Sequence, residues 1–147
     1  MQLWIDADAC PVVDIAIRVA ARHQVEVTLV CDDAHWMQRE GANTLTVARG
    51  ADSADMMIVN LVHRGDAVVT QDYGLAALCL ARGAKALDQN GRMYDESNID
   101  SLLGMRHIAK KVRHAGGRLK GPPKRTKEQD EWFERALERL LREGIPE

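Results

Sequence analysis

The chain has 147 residues, close to the size of one domain, and 46% of them are hydrophobic, enough for a sizeable core. No apolar run approaches the roughly 20 residues that span a bilayer, and the first residues carry Asp6 and Asp8 with no basic stretch, so they do not read as a signal peptide. The net charge of −2 hides an asymmetry: residues 1–105 hold eight basic residues against fifteen acids, whereas residues 106–125 hold eight basic residues and no acid.

In chain order, "QLWI" reads as a strand, and Pro11 suits the first position of a helix with Asp8 or Cys10 near its cap. Val12, Val13, Ile15, Ala16, Val19 and Ala20 give that helix an apolar face. "VEVTLVC" at 25–31 is a second strand. Residues 32–39 read as a short helix or a loop. "TLTVA" at 44–48 is a third strand, and a helix follows from Asp52 or Ser53 to His63. "AVVTQ" at 67–71 is a fourth strand. The helix from Tyr73 to Arg82 ends at Gly83, a residue suited to a left-handed stop, before a short fifth strand, "AKAL", at 84–87. Strands alternate with helices, and several strands are nearly continuous apolar runs. That pattern predicts a mostly parallel sheet of about five strands in a three-layer α/β fold.

The last third differs. Ser97 can cap a helix from about 98 to 114, and "AGGRLKGPPK" then breaks the chain. Thr126 with Gln129 forms a capping-box signature. Trp132, Phe133, Ala136, Leu137, Leu140 and Leu141 make an apolar stripe on a final helix. This helical appendage is expected to pack on the body or on a second subunit of a homodimer. Cys10, Cys31 and Cys79 fall in different predicted elements, which suits reduced thiols in the cytoplasm.

Ligands of an open parallel sheet bind outside the carboxyl ends of its strands. Acids gather at those ends: Asp6 and Asp8 after the first strand, Asp32 and Asp33 after the second, Asp52 and Asp55 after the third, Asp72 after the fourth and Asp88 after the fifth. Clustered carboxylates need a cation to stay ionised together. Hard cations such as Mg²⁺ and Mn²⁺ take oxygen ligands, activate water and stabilise phosphoryl transfer. With the basic segment as a phosphate contact, this predicts a nuclease. Each acid also has a plainer reading: Asp52 and Asp72 stand where helix caps belong, and Asp32, Asp33 and Asp88 read as solvated loop acids. Asp6 is harder to dismiss, because an acid ending a core strand is costly without a partner. Cys10 lacks the arginine six positions later that a cysteine phosphatase needs, Ala16 standing there, and reads as a packing thiol. His35 and His63 lack metal-ligand spacing. Aromatic residues are only 4%, so base stacking is a minor theme.

"WIDADACPV", "GADSADMMIVN", "GDAVVTQDYGLAALCLARGA" and "GPPKRTKEQDEWF" closely resemble the bacterial YaiI/YqxD group, over nearly the whole chain and in the same order. That group is placed among PIN-like domains, many of which are Mg²⁺- or Mn²⁺-dependent nucleases. The resemblance implies a PIN-like α/β domain over 1–115, with a basic linker and amphipathic helix over 116–147. It implies one or two metal ions held by Asp6, Asp8, Asp55 and Asp72, with Asp52 as the alternative to Asp55 among the catalytic acids. Thr70 and Asp72 match a Thr-x-Asp signature. Thr70, Lys110, Lys111, Arg113, Arg118 and Lys120 are the expected contacts to substrate, with RNA the expected nucleic acid. A non-catalytic RNA-binding module is the alternative. A haloacid-dehalogenase-type phosphatase is a weaker one, because Cys10 stands where the motif carries Thr or Val.

Overall fold

The computed structural model describes residues 1–48, 53–102, 104 and 124–144. Its strands are β1 (Gln2–Asp6), β2 (Glu26–Asp32), β3 (Asn43–Val47), β4 (Ala67–Val69) and β5 (Lys85–Leu87). All pair in parallel in one sheet of order β3-β2-β1-β4-β5. The helices among the described residues are α1 (Val13–Arg22), α2 (Ser53–Leu61), α3 (Tyr73–Ala81), α4 over residues 96–102, and α5 (Lys127–Glu143). From β1 the chain winds outward through β2 and β3, then returns to the other side of β1 for β4 and β5. The strand order therefore reverses between β1 and β4, and the connections leaving these two neighbours diverge to leave a crevice above them.

Side chains alternate across each strand, and the core splits accordingly. Leu3, Ile5, Val27, Leu29, Cys31, Val69 and Leu87 face one layer, where Ala16, Val19 and Ala20 of α1 and Phe133, Leu137 and Leu141 of α5 cover them. Trp4, Val30, Val68 and Ala86 face the other, under Ile58 of α2, Leu75, Ala76 and Cys79 of α3, and Ile99 and Leu102 of α4. Burial on both faces explains the apolar runs seen in the sequence. No helix among the described residues is long and apolar enough to cross a membrane.

Several local expectations shift. The first helix starts at Val13 with Val12 at its cap and no side-chain cap bond, so Pro11 lies in the preceding turn. Residues 33–39 form a turn and loop. The helix expected from 98 begins at 96 instead. Asp95 caps it, accepting from the Asn98 N–H at 2.8 Å, while Ser97 Oγ donates to Asp95 at 2.7 Å. A carboxylate outbids a hydroxyl for the unsatisfied N–H groups of a first turn. Gly83 takes φ +87° and stops α3, as its place in the sequence predicts. The Thr126–Gln129 capping box forms. Trp132, counted in the apolar stripe of α5, is 49% exposed, and Phe133 makes the buried contact. Gly91, with φ +82°, passes so close to α5 that a Cβ there would lie 2.6 Å from the Trp132 carbonyl oxygen.

The α1–α5 contact is closed at its edge by charges. Arg18 and Arg22 reach Glu134 at 3.3 and 3.2 Å, Arg22 reaches Glu138 at 3.1 Å, and His23 Nε2 lies 2.7 Å from Glu138 Oε1. Arg125, just before α5, donates to Asp130, to Asn90 Oδ1 and to the Gln89 carbonyl at 2.6–2.7 Å. It fastens the helix entrance to the loop after β5.

Candidate functional site

The pairing of Ile5 with Val69 brings Asp6, at the end of β1, level with Thr70, just beyond β4. Thr70 Oγ1 donates to Asp6 Oδ2 at 2.9 Å and accepts from the Asp72 N–H at 3.0 Å. The Thr70 N–H donates to the Leu87 carbonyl, and its own carbonyl accepts from the Tyr94 hydroxyl at 3.0 Å. Thr70 is 2% exposed. Its hydroxyl is committed on both sides, so it positions Asp6 and Asp72 and is not presented to a ligand. Asp72 is the N-cap of α3, its Oδ1 accepting from the Gly74 and Leu75 N–H groups at 2.8 and 3.1 Å. Gln71 Nε2 donates to the Ala9 carbonyl at 3.0 Å and ties the loop after β4 to the loop after β1. Ala9 sits at φ +59°, a left-handed conformation unfavourable for a residue with a Cβ. Asp6, Gln71, Asp72 and Tyr73 line an open crevice of about 370 Å³ over the β1–β4 junction.

The electrostatics centre on Asp6. Burial pushes its carboxyl up to about 6 against the Thr70 hydrogen bond, and the charges of Asp8 and Asp72 push the same way. Three acids thus share one field. The Cys10 thiol is raised by burial and is not activated, in keeping with packing. Cys79 is pushed up to about 12, first by burial and then by the charge of Asp55, which stands in the first turn of α2. Asp88 closes the turn after β5 by accepting from the Asn90 and Arg92 N–H groups at 2.8 and 2.9 Å. Asp52, Lys110, Lys111, Arg113, Arg118 and Lys120 lie outside the described residues.

Three features were not anticipated from the sequence. Gln71 ties the two crevice loops together. Asp66, 5% exposed at the opposite end of the central strands, accepts from the Gln2 N–H at 3.0 Å, Trp4 Nε1 at 3.1 Å and the His63 N–H at 2.9 Å. Its position before an apolar strand carried no signal beyond that of any turn acid. Asp32 and His35 meet at the other side of β1. Asp32 Oδ1 accepts from the Ala34 and His35 N–H groups, both at 2.9 Å, and lies 2.7 Å from His35 Nδ1. Burial raises the Asp32 carboxyl, but the His35 ring and these N–H groups outweigh it and hold the group below its usual range.

The family model described as "Uncharacterized BCR, YaiI/YqxD family" matches residues 4–143. The chain belongs to the YaiI/YqxD family. The UPF0178 protein of Exiguobacterium sibiricum is 55% identical over 143 residues, covering 97% of this chain and 98% of its own. The UPF0178 protein of Clostridium acetobutylicum is 49% identical over 146 residues, covering 98% and 99%. That of Ruminiclostridium cellulolyticum is 48% identical over 137 residues, covering 93% and 90%. No solved structure matches the chain significantly.

Proposed function

We propose that this YaiI/YqxD member is a divalent-metal-dependent hydrolase of phosphodiester bonds, acting on RNA. One observation carries the reading: a half-buried carboxylate, Asp6, ends the central strand at the sheet's switch point, and its partial burial and two neighbouring acids oppose its ionisation. Such a group calls for a cation. In donor type Asp6, Asp8 and Asp72 suit Mg²⁺ or Mn²⁺, since they offer only carboxylate oxygens, and water ligands would complete the shell, because the three acids do not converge within 4.8 Å of one another. Asp55 is the further acid that would join them from α2. A bound cation of this kind supplies Lewis acidity toward a phosphoryl oxygen.

The chain's own groups prepare the crevice. Thr70 fixes the Asp6 carboxylate through its hydroxyl and the start of α3 through the Asp72 N–H. The α3 cap fixes Asp72 itself. The Gln71–Ala9 bond holds the two loops at a set separation. The basic residues of 106–125 supply cations for the substrate backbone, which favours nucleic acid over a small phosphate ester. The choice of RNA rests on the family resemblance.

Purified protein, single-stranded and structured RNA, and Mn²⁺ make the test. Asn caps helices as well as Asp does, so Asp72→Asn keeps α3. It is expected to lower Mn²⁺-dependent cleavage at least 100-fold with the fold intact by circular dichroism. Cleavage by Asp72→Asn at the wild-type rate would remove the reading. A non-catalytic RNA-binding module is favoured by the use of Asp72 as a helix cap. Salt-sensitive RNA binding with no Mn²⁺-dependent turnover by the wild-type chain would decide for it.

A further inference from the structure

A second group of donors converges on the β2 side of β1. The ladder pairs Asp6 with Val30, and the Ala7 N–H continues it to the Val30 carbonyl at 2.9 Å, so Asp8 emerges beside Asp32, the last residue of β2. The loop that follows brings back His35. One carboxylate oxygen of Asp8, one of Asp32 and a ring nitrogen of His35 all lie within 4.8 Å of one another. His35 Nδ1 is 2.7 Å from Asp32 Oδ1 and 3.8 Å from Asp8 Oδ1. The Asp32 N–H meets the two Asp8 oxygens only at 3.4 and 3.3 Å, which are long, weak contacts.

The imidazole distinguishes this group from the acids over β4. An all-carboxylate set suits Mg²⁺, whereas a nitrogen beside two carboxylates favours the later first-row divalent ions, in the order Mn²⁺ below Co²⁺ below Zn²⁺. Three chain segments supply the three donors: the turn after β1, the end of β2 and the loop beyond it. Two of those segments are held by the parallel ladder, so little ordering is left for an ion to impose. His35 is mostly exposed, which leaves the group open to an ion from solvent.

We propose that Asp8, Asp32 and His35 form a binding site for a first-row transition-metal dication, set apart from the Asp6–Asp72 crevice by its donors Asp32 and His35. The site does not depend on the hydrolase reading, since it binds the ion whether or not the chain cleaves RNA. Asp8 borders both groups and is left unchanged in the test. The probe is Co²⁺ with the full chain, followed by calorimetry and by the paramagnetic shift of histidine ring resonances in NMR. The wild-type chain is expected to bind Co²⁺ with a Kd below 1 mM and to shift or broaden His35 first. His35→Ala and Asp32→Asn are expected to weaken that binding at least 10-fold while keeping the wild-type circular dichroism. Asp72→Asn is expected to leave it within 3-fold. The proposal is overturned if His35→Ala binds Co²⁺ as the wild type does, if the affected ring belongs to His23, His63, His107 or His114 instead, or if the wild type binds more weakly than 1 mM. Loss of RNA cleavage in Asp72→Asn alongside unchanged Co²⁺ binding would separate the two sites.

Discussion

At the scale of single residues, Asp6 is the acid that the sequence pattern and the electrostatics both single out. An acid ending an apolar strand could be marked from the residues alone, because such a group is expensive unless something answers it. Its partner Thr70 lies 64 residues away, and only the Thr-x-Asp resemblance pointed there. The assignment of Thr70 to substrate contact did not foresee its burial, because periodicity marks Thr70 as the end of a strand but does not say which way its hydroxyl turns. The raised Asp6 carboxyl has a testable sign. In the unfolded chain the group titrates near 3.8, and in the metal-free fold near 6. Between those values the folded state holds the proton more tightly, so the stability of the metal-free protein falls as pH rises from about 4 to about 6 and levels off above. The span corresponds to roughly 3 kcal/mol. Asp6→Asn is expected to flatten this slope and to melt higher than wild type at pH 7 in EDTA. Parallel pH slopes for the two proteins in thermal denaturation would refute it.

At the scale of elements, the alternation of strand and helix through residue 88 was legible because both faces of a parallel sheet are buried and the strands therefore advertise themselves. Helix starts were less legible. Pro11 is favourable at a first helical position, yet the turn that carries Asp8 and Ala9 occupies that place, and α1 begins at Val13. Ser97 gave way to Asp95 because charge decides between two neighbouring caps. The C-terminal helix was visible from its capping box and its stripe, but the sequence left open whether it met the body or another subunit. Its docking on α1 places Phe133 wholly out of solvent within the layer that covers β1 and β2. Phe133→Ala is expected to cost about 3–5 kcal/mol, read as a lowered midpoint in urea. A loss below about 1 kcal/mol would mean that α5 contributes little to that layer. The exposed ion pairs at the rim of this contact carry far less, as surface pairs usually do.

At the scale of the whole molecule, the two ends of the sheet have different duties. The carboxyl end gathers acids that disfavour one another, Asp6 with Asp8 and Asp72. At the amino end the buried acid Asp66 is satisfied by donors from β1, its Trp4 side chain and the turn after α2. Sequence alone ranks these acids by position and cannot see how many N–H groups each receives, so Asp66 went unremarked beside more conspicuous neighbours. Asp66→Ala leaves three donors without their acceptor and is expected to cost roughly 3 kcal/mol. Its residual folded fraction should keep the wild-type affinity for Mn²⁺, measured by electron paramagnetic resonance at a temperature where both proteins are folded. A variant that stays as stable as wild type would show that water satisfies those donors instead.

The Thr70–Asp6 bond has a consequence for how the molecule assembles. β1 can meet β2 once about thirty residues are available, whereas β4 must close a loop of more than sixty. Closing that loop costs chain entropy before any contact repays it. The outer half of the sheet can therefore gather around β1 while Asp6 is still facing water, ionised and without strain. The closure of β4 against β1 is the step that brings Thr70 and Asp72 beside the carboxylate. The docking of β4 on β1 and the meeting of Asp6 with Asp72 are then one event in time, and a chain without that contact has Asp6 beside Asp8 alone.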